Sequence, residues 1–149
     1  MFLKIEEKFV ESLYLHGHYI SENLSDKWVT NNNHIIAELV GLAFIGNFFY
    51  KFNFGKFWFN FAADKLLQEL NKQIMDDGFL WESSTGYHKF VTELVYLSDM
   101  LLSFHENKNH SDINNILRKM LKSLFFTIKP NGKICKIGDS DDAMVLKLS

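Results

Sequence analysis

Residues 35–49 read IIAELVGLAFIGNFF, with Glu38 as the only charge. No other stretch restricts the fold so strongly. A helix that is apolar on nearly every face belongs either in a bilayer or inside a cage of other helices. A membrane span needs about 20 apolar residues, and Lys51, Asn53 and Lys56 interrupt this run soon after it starts. Its shortness and the charge inside it favour the enclosed position, so no membrane is expected as a partner. Enclosure requires neighbours, and the rest of the chain supplies periodic segments that can serve.

Phe2, Ile5, Phe9, Leu13, Ile20 and Leu24 recur at three- and four-residue steps and predict a first amphipathic helix ending near SENLSDKW. Trp28-Val29-Thr30 then leads into Asn31, Asn32 and Asn33, whose short amides suit the cap of a second helix over about residues 34–50. Asn53 and Gly55 read as a break. A third helix follows, with Phe57 or Trp58, then Phe61, Ala62, Leu66, Leu70 and Ile74 on its core face, and Asp76-Asp77-Gly78 ends it. Ser83, Ser84 and Thr85 are cap candidates for a fourth helix striped by Phe90, Val91, Leu94, Leu97, Leu101 and Phe104. Ser111 or Asp112 opens a fifth, carrying Ile113, Ile116, Leu117, Met120, Leu121 and Leu124. After Pro130-Asn131-Gly132 the pattern alternates and carries turn residues, which predicts extended chain.

Composition agrees with an all-α body of antiparallel helical hairpins. The 149 residues hold eight Gly and one Pro, too few turn-formers for a many-stranded sandwich, and 15% aromatics exclude disorder. Sixteen basic against 18 acidic residues, scattered, lack the footprint of a nucleic-acid binder. Cys135, alone, can form neither an internal disulfide nor a cysteine metal site. Glu6, Glu7 and Glu11 interrupt what a signal peptide would need as an apolar core, so no export signal is expected and the compartment stays open.

Three clusters exceed simple packing. Asn31-Asn32-Asn33-His34 with Glu38 is either a cap beside a surface histidine or part of a site. Trp81-Glu82-Ser83-Ser84-Thr85-Gly86-Tyr87-His88 is either a cap with a half-buried tyrosine or the site's other wall. Gly138-Asp139-Ser140-Asp141-Asp142 is a turn or a cation loop, but it lacks the later glutamate of an EF-hand. In an array of helical hairpins alternate helix entries gather on one face, so His34 and Tyr87 are expected across a common cleft. Tyr and His form an acid–base pair, and Asn33 adds a neutral amide donor suited to a carboxylate or oxyanion. His34 and Glu38, one turn apart, are two potential metal ligands without an evident third.

Taken in order, NNNHIIAELVGLAFIGNFF, DDGFLWESSTGYHKF and PNGKICKIGDSDDA resemble the heparinase II/III family of polysaccharide lyases, whose helical architecture related alginate lyases share. The resemblance runs over roughly residues 28–144. It implies part of an incomplete α/α toroid over residues 1–129 and, over 130–149, an extended linker toward a β-sandwich domain that the chain lacks. It further implies β-elimination on a uronic-acid-containing, anionic polysaccharide. Asn33 and His34 match the family's Asn-His pair and Tyr87 its catalytic tyrosine. Glu82, His88, Glu38 and Trp81 complete the residues expected around substrate. No cofactor is implied by this region. Tyr87 serves as both base and acid if the two groups leave from the same side; otherwise His34 is the base and Tyr87 the acid. A chain this short relative to a complete toroid is expected to be a fragment, to expose apolar helix faces that favour self-association, and to be weakly active alone. Two other readings remain: a non-catalytic carbohydrate-binding or scaffold module, and a toroid glycoside hydrolase, for which no carboxylate pair is evident.

Overall fold

The computed structural model describes residues 2–25, 32–139 and 144–146. The lead-in at residues 28–31, the side chains of Phe2 and Ile5, and residues 140–142 of the acidic turn lie outside the described residues. Five helices follow one another: α1 (Phe2–Glu22), α2 (Asn33–Phe48), α3 (Asn53–Gln73), α4 (Thr85–Phe104) and α5 (His110–Phe126). Among the described residues there is no strand, only two isolated antiparallel bridges, Ile74 with Leu80 and Ile128 with Ile134. The all-α class read from the sequence is the class observed.

The apolar run is α2, and it occupies the middle, in contact with α1, α3 and α4. Ile35, Ile36, Leu39, Val40, Leu42 and Ala43 are all buried, at positions that span the helix circumference. That explains the missing polar face. No helix among the described residues is long and apolar enough to cross a membrane.

The α2–α3 corner departs from the expected break. Asn53 and Gly55 lie within the first turn of α3, and the chain reverses at residues 49–52, where Phe52 N–H donates to Phe49 O at 2.8 Å. Gly55 is there for contact: a Cβ on it would lie 2.1 Å from Phe49 O. Across the same corner a Cβ on Gly46 would lie 2.6 Å from Phe59 N and 2.9 Å from Gly55 O. Backbone meets backbone with no room for a side chain, so the Gly46→Val protein is expected to lose about 3 kcal/mol or more of stability, read by denaturant titration. A loss within about 0.5 kcal/mol would mean that the corner is looser than described.

Close approach also sets the α3 register. Trp58 faces the core, whereas Phe57 is 63% exposed. Fully buried Phe59 adds a contact that the expected stripe omitted, widening the core face. In α4 the stripe holds through Val91, Leu94 and Leu101 and fails at Phe104, which is exposed. The α5 cap is Asn109, not Ser111 or Asp112. Its amide donates to Asp64 Oδ1 on α3 at 2.6 Å, so the side chain ties two helices together and caps nothing. Leu121, assigned to the core face, is exposed.

After α5 the chain turns at Gly132 and runs extended back across the start of α4. Ile137 O accepts from Thr85 N at 3.1 Å, and Cys135 O accepts from the Thr85 hydroxyl at 2.7 Å. Farther along, Glu93 on α4 accepts from Val145 N at 2.9 Å and Leu146 N at 3.3 Å. Burial raises the Glu93 pKa, but bonds from Lys89 and these two amides outweigh it and leave the carboxyl below its ordinary value.

Candidate active site

The first turn of α2 is closed by two acceptors. Asn32, the N-cap, accepts from His34 N at 3.1 Å. Asn33 is 8% exposed, and its backbone N–H donates to Glu82 Oε1 at 2.8 Å. Asn33 Nδ2 donates to the same carboxylate, at 3.1 Å to Oε2 and 3.3 Å to Oε1. A carboxylate at a helix N-terminus meets free N–H groups and the positive end of the helix dipole, which favours this placement.

Glu82 lies in the connection from α3 to α4, two residues before Ser84, the N-cap of α4. Ser84 Oγ accepts from Tyr87 N at 3.2 Å. The Asn33–Glu82 link therefore joins the entries of α2 and α4 across 49 residues of sequence. His34 is exposed on the first turn of α2, and Tyr87 lies on the first turn of α4, half-buried with its ring packed on the core. Trp81 is 40% exposed. Together with Ser83, Thr85 and Ile137 it lines a cavity of about 330 Å3 that lies beside the Asn33–Glu82 link, and neither His34 nor Tyr87 forms part of its wall.

Two residues expected at substrate are otherwise engaged. His88 is fully buried. Its Nδ1 accepts from Leu80 N at 3.3 Å, which puts the ring proton on Nε2, 3.1 Å from Met120 O. Burial pushes the His88 pKa below its ordinary value, against the Met120 carbonyl and the Asp77 charge, which raise it. A neutral imidazole bonded at both nitrogens, bracing the α3–α4 connection against α5, has no free edge for a sugar. Glu38 is the second. Its two oxygens accept from Ser25, Oε2 from N at 2.8 Å and Oε1 from Oγ at 2.5 Å, so it fastens the end of α1 to α2. Glu82 is half-buried and its carboxylate is taken up by Asn33. Among the described residues no three His, Cys, Asp or Glu side chains group to hold a metal ion.

Sequence reasoning missed the tail's partners on α4. Ser84 and Thr85 carried a cap signal, but their bonds to residues 135–139 come from a segment about 50 positions away, which local pattern does not register.

Hairpins with linked entries define the class, a segment of an α-helical toroid, and solved structures share it. The chain superposes on the mutant heparan sulfate lyase HepC of Pedobacter heparinus with a TM-score of 0.72, at 21% identity, over 89% of this chain and 21% of that one. A structure of Heparinase III gives 0.67 at 24% identity, over 86% of this chain and 19% of that one. The chain belongs to the heparinase II/III family, whose Heparinase II/III N-terminus model matches residues 4–147. No curated protein matches it. The chain spans about a fifth of the length of these solved relatives.

Proposed function

We propose that this chain is the part of a polysaccharide lyase toroid that carries Asn33, His34 and Tyr87, in a protein that cleaves uronic-acid-containing polysaccharide by β-elimination. The observation that carries the reading is the Asn33–Glu82 link, because it brings together the two helix entries on which those residues lie. Family membership supports the same class of activity. In this reading residues 1–129 are toroid and residues 130–149 lead toward a second, β-sandwich domain.

The chemistry calls for these residue types. An ionised carboxylate stabilises the neighbouring carbanion poorly, so its charge has to be met as the enolate develops. Asn33 Nδ2 carries two hydrogens, of which one suffices for Glu82, and His34 supplies an imidazole donor open to solvent. Tyr87 moves the protons: as base and acid if both groups leave from one side, or as acid alone, with His34 as base, if they leave from opposite sides. Trp81, exposed beside this edge, offers an apolar ring face for a sugar.

Incubating the full-length protein with heparan sulfate and alginate, separately, tests the assignment. The expected result on at least one polymer is a rise in ultraviolet absorbance from a conjugated double bond, in products whose summed mass includes no added water. Products heavier by one water per cut would replace elimination with hydrolysis. Absence of cleavage on every uronate polymer tried would remove the lyase reading.

A further inference from the structure

The extended segment at residues 135–139 does more than close the fold, because it completes the entry of α4. An isolated helix leaves its first N–H groups without partners. Here Thr85 N donates to Ile137 O at 3.1 Å, and Thr85 Oγ1 donates to Cys135 O at 2.7 Å while accepting from Ile137 N at 3.1 Å. One position earlier, Ser84 Oγ donates to Asp139 O and accepts from Tyr87 N at 3.2 Å. A single hydroxyl thus stands between the tail's backbone and the backbone of Tyr87. Ser84 and Thr85 are both buried, so water does not readily replace these bonds. The tail fits closely as well. Gly138 adopts φ +73°, and a Cβ there would lie 2.9 Å from Ser83 O and 3.1 Å from Ser84 Cα.

From this geometry we infer that Ser84 is a positioning residue, which transmits the docking of residues 135–139 to Tyr87 and sets where the tyrosine stands. The inference rests on the proposed role of Tyr87 only for its catalytic consequence, since the mechanical coupling is independent of what Tyr87 does.

Three substitutions at Ser84 separate docking from capping. Ser84→Ala removes both bonds. Ser84→Asp keeps an acceptor for Tyr87 N but sets a carboxylate against Asp139 O. Ser84→Thr keeps donor and acceptor. Gly138→Val dislodges the tail without touching α4. In the full-length protein, amide hydrogen exchange at Tyr87 is expected to rise about 10-fold or more in Gly138→Val and Ser84→Asp, with Leu66 in α3 unchanged and Ser84→Thr close to wild type. In the polymer assay the same two variants are expected to lose about 10- to 100-fold in kcat with little change in KM, because the tyrosine is displaced while the binding surface remains. Unchanged exchange at Tyr87 in both variants overturns the coupling and leaves the lyase reading standing. Exchange that rises equally at Leu66, or a Ser84→Thr protein as impaired as Ser84→Ala, also overturns it, by showing general loosening or simple overpacking. Raised exchange confined to the α4 entry in a protein without lyase activity upholds the coupling and removes the lyase reading.

Discussion

Tyr87→Phe is expected to lower kcat on a uronate polymer by about 10²- to 10⁴-fold, the range for losing a positioned proton donor or acceptor. KM should change little, because the ring that packs on the core is retained and only the hydroxyl goes. The substitution is mild for the fold. Tyr87's backbone bond to Ser84 survives it, so far-ultraviolet circular dichroism and the unfolding midpoint should stay near wild type. An unperturbed tyrosine has a pKa near 10, so use of Tyr87 as a base needs donors or positive charge close by. A pH–rate profile therefore carries further information: an ascending limb assigned to a base should disappear in His34→Ala if His34 fills that role, and in Tyr87→Phe if the tyrosine does. A Tyr87→Phe protein within about threefold of wild type in kcat contradicts the assignment of Tyr87, whatever its fold does.

The largest expected loss of stability comes from His88→Ala, at about 3–5 kcal/mol. The imidazole is fully enclosed, and its removal leaves a cavity together with two buried backbone groups, Leu80 N–H and Met120 C=O, without their partner. Each orphaned group costs about 1–3 kcal/mol. Thermal or denaturant unfolding of the purified protein checks the figure, and a loss below about 1 kcal/mol would show that the ring is not the brace described. The same ring gives a pH dependence with a defined sign. Because the folded-state pKa lies below the ordinary 6.5, the unfolded chain takes up the proton first as pH falls. The contribution of neutral His88 is complete above about pH 6.5 and is lost as pH falls from there toward the lower folded-state value. The melting temperature should thus drop between about pH 7.5 and 5.5, and drop less in His88→Gln, which does not titrate there. An identical pH response in the variant would assign the effect to other groups.

Helices were legible because their signals are local. The 3.6-residue stripe, the asparagines before α2 and the serines before α4 each act within one or two turns, and burial of α2 followed from an apolar run too short for a bilayer. What escaped was set by contact between distant segments. Gly55 looks like a helix breaker in isolation, yet it lies inside α3 because the Phe49 carbonyl approaches it. Asn109 caps α5 while its amide answers Asp64, 45 residues earlier. In the candidate site, sequence order pointed to helix entries on one edge, and Asn33 with Glu82 are indeed joined. Glu38 and His88 were drawn into that site by proximity in sequence. Their side chains turn instead to Ser25 and to Leu80 and Met120, which helical spacing alone does not disclose.

That the entries of α2 and α4 form one catalytic edge is tested most directly by a double-mutant cycle on the full-length protein, with kcat/KM for uronate-polymer cleavage as the readout. If Asn33 and Tyr87 act on the same transition state, the Asn33→Ala, Tyr87→Phe double variant should be within about 10-fold of Tyr87→Phe alone, because residues that work as a unit are strongly non-additive. Single losses that multiply in full would contradict a shared edge, as would an Asn33→Ala protein with undiminished activity.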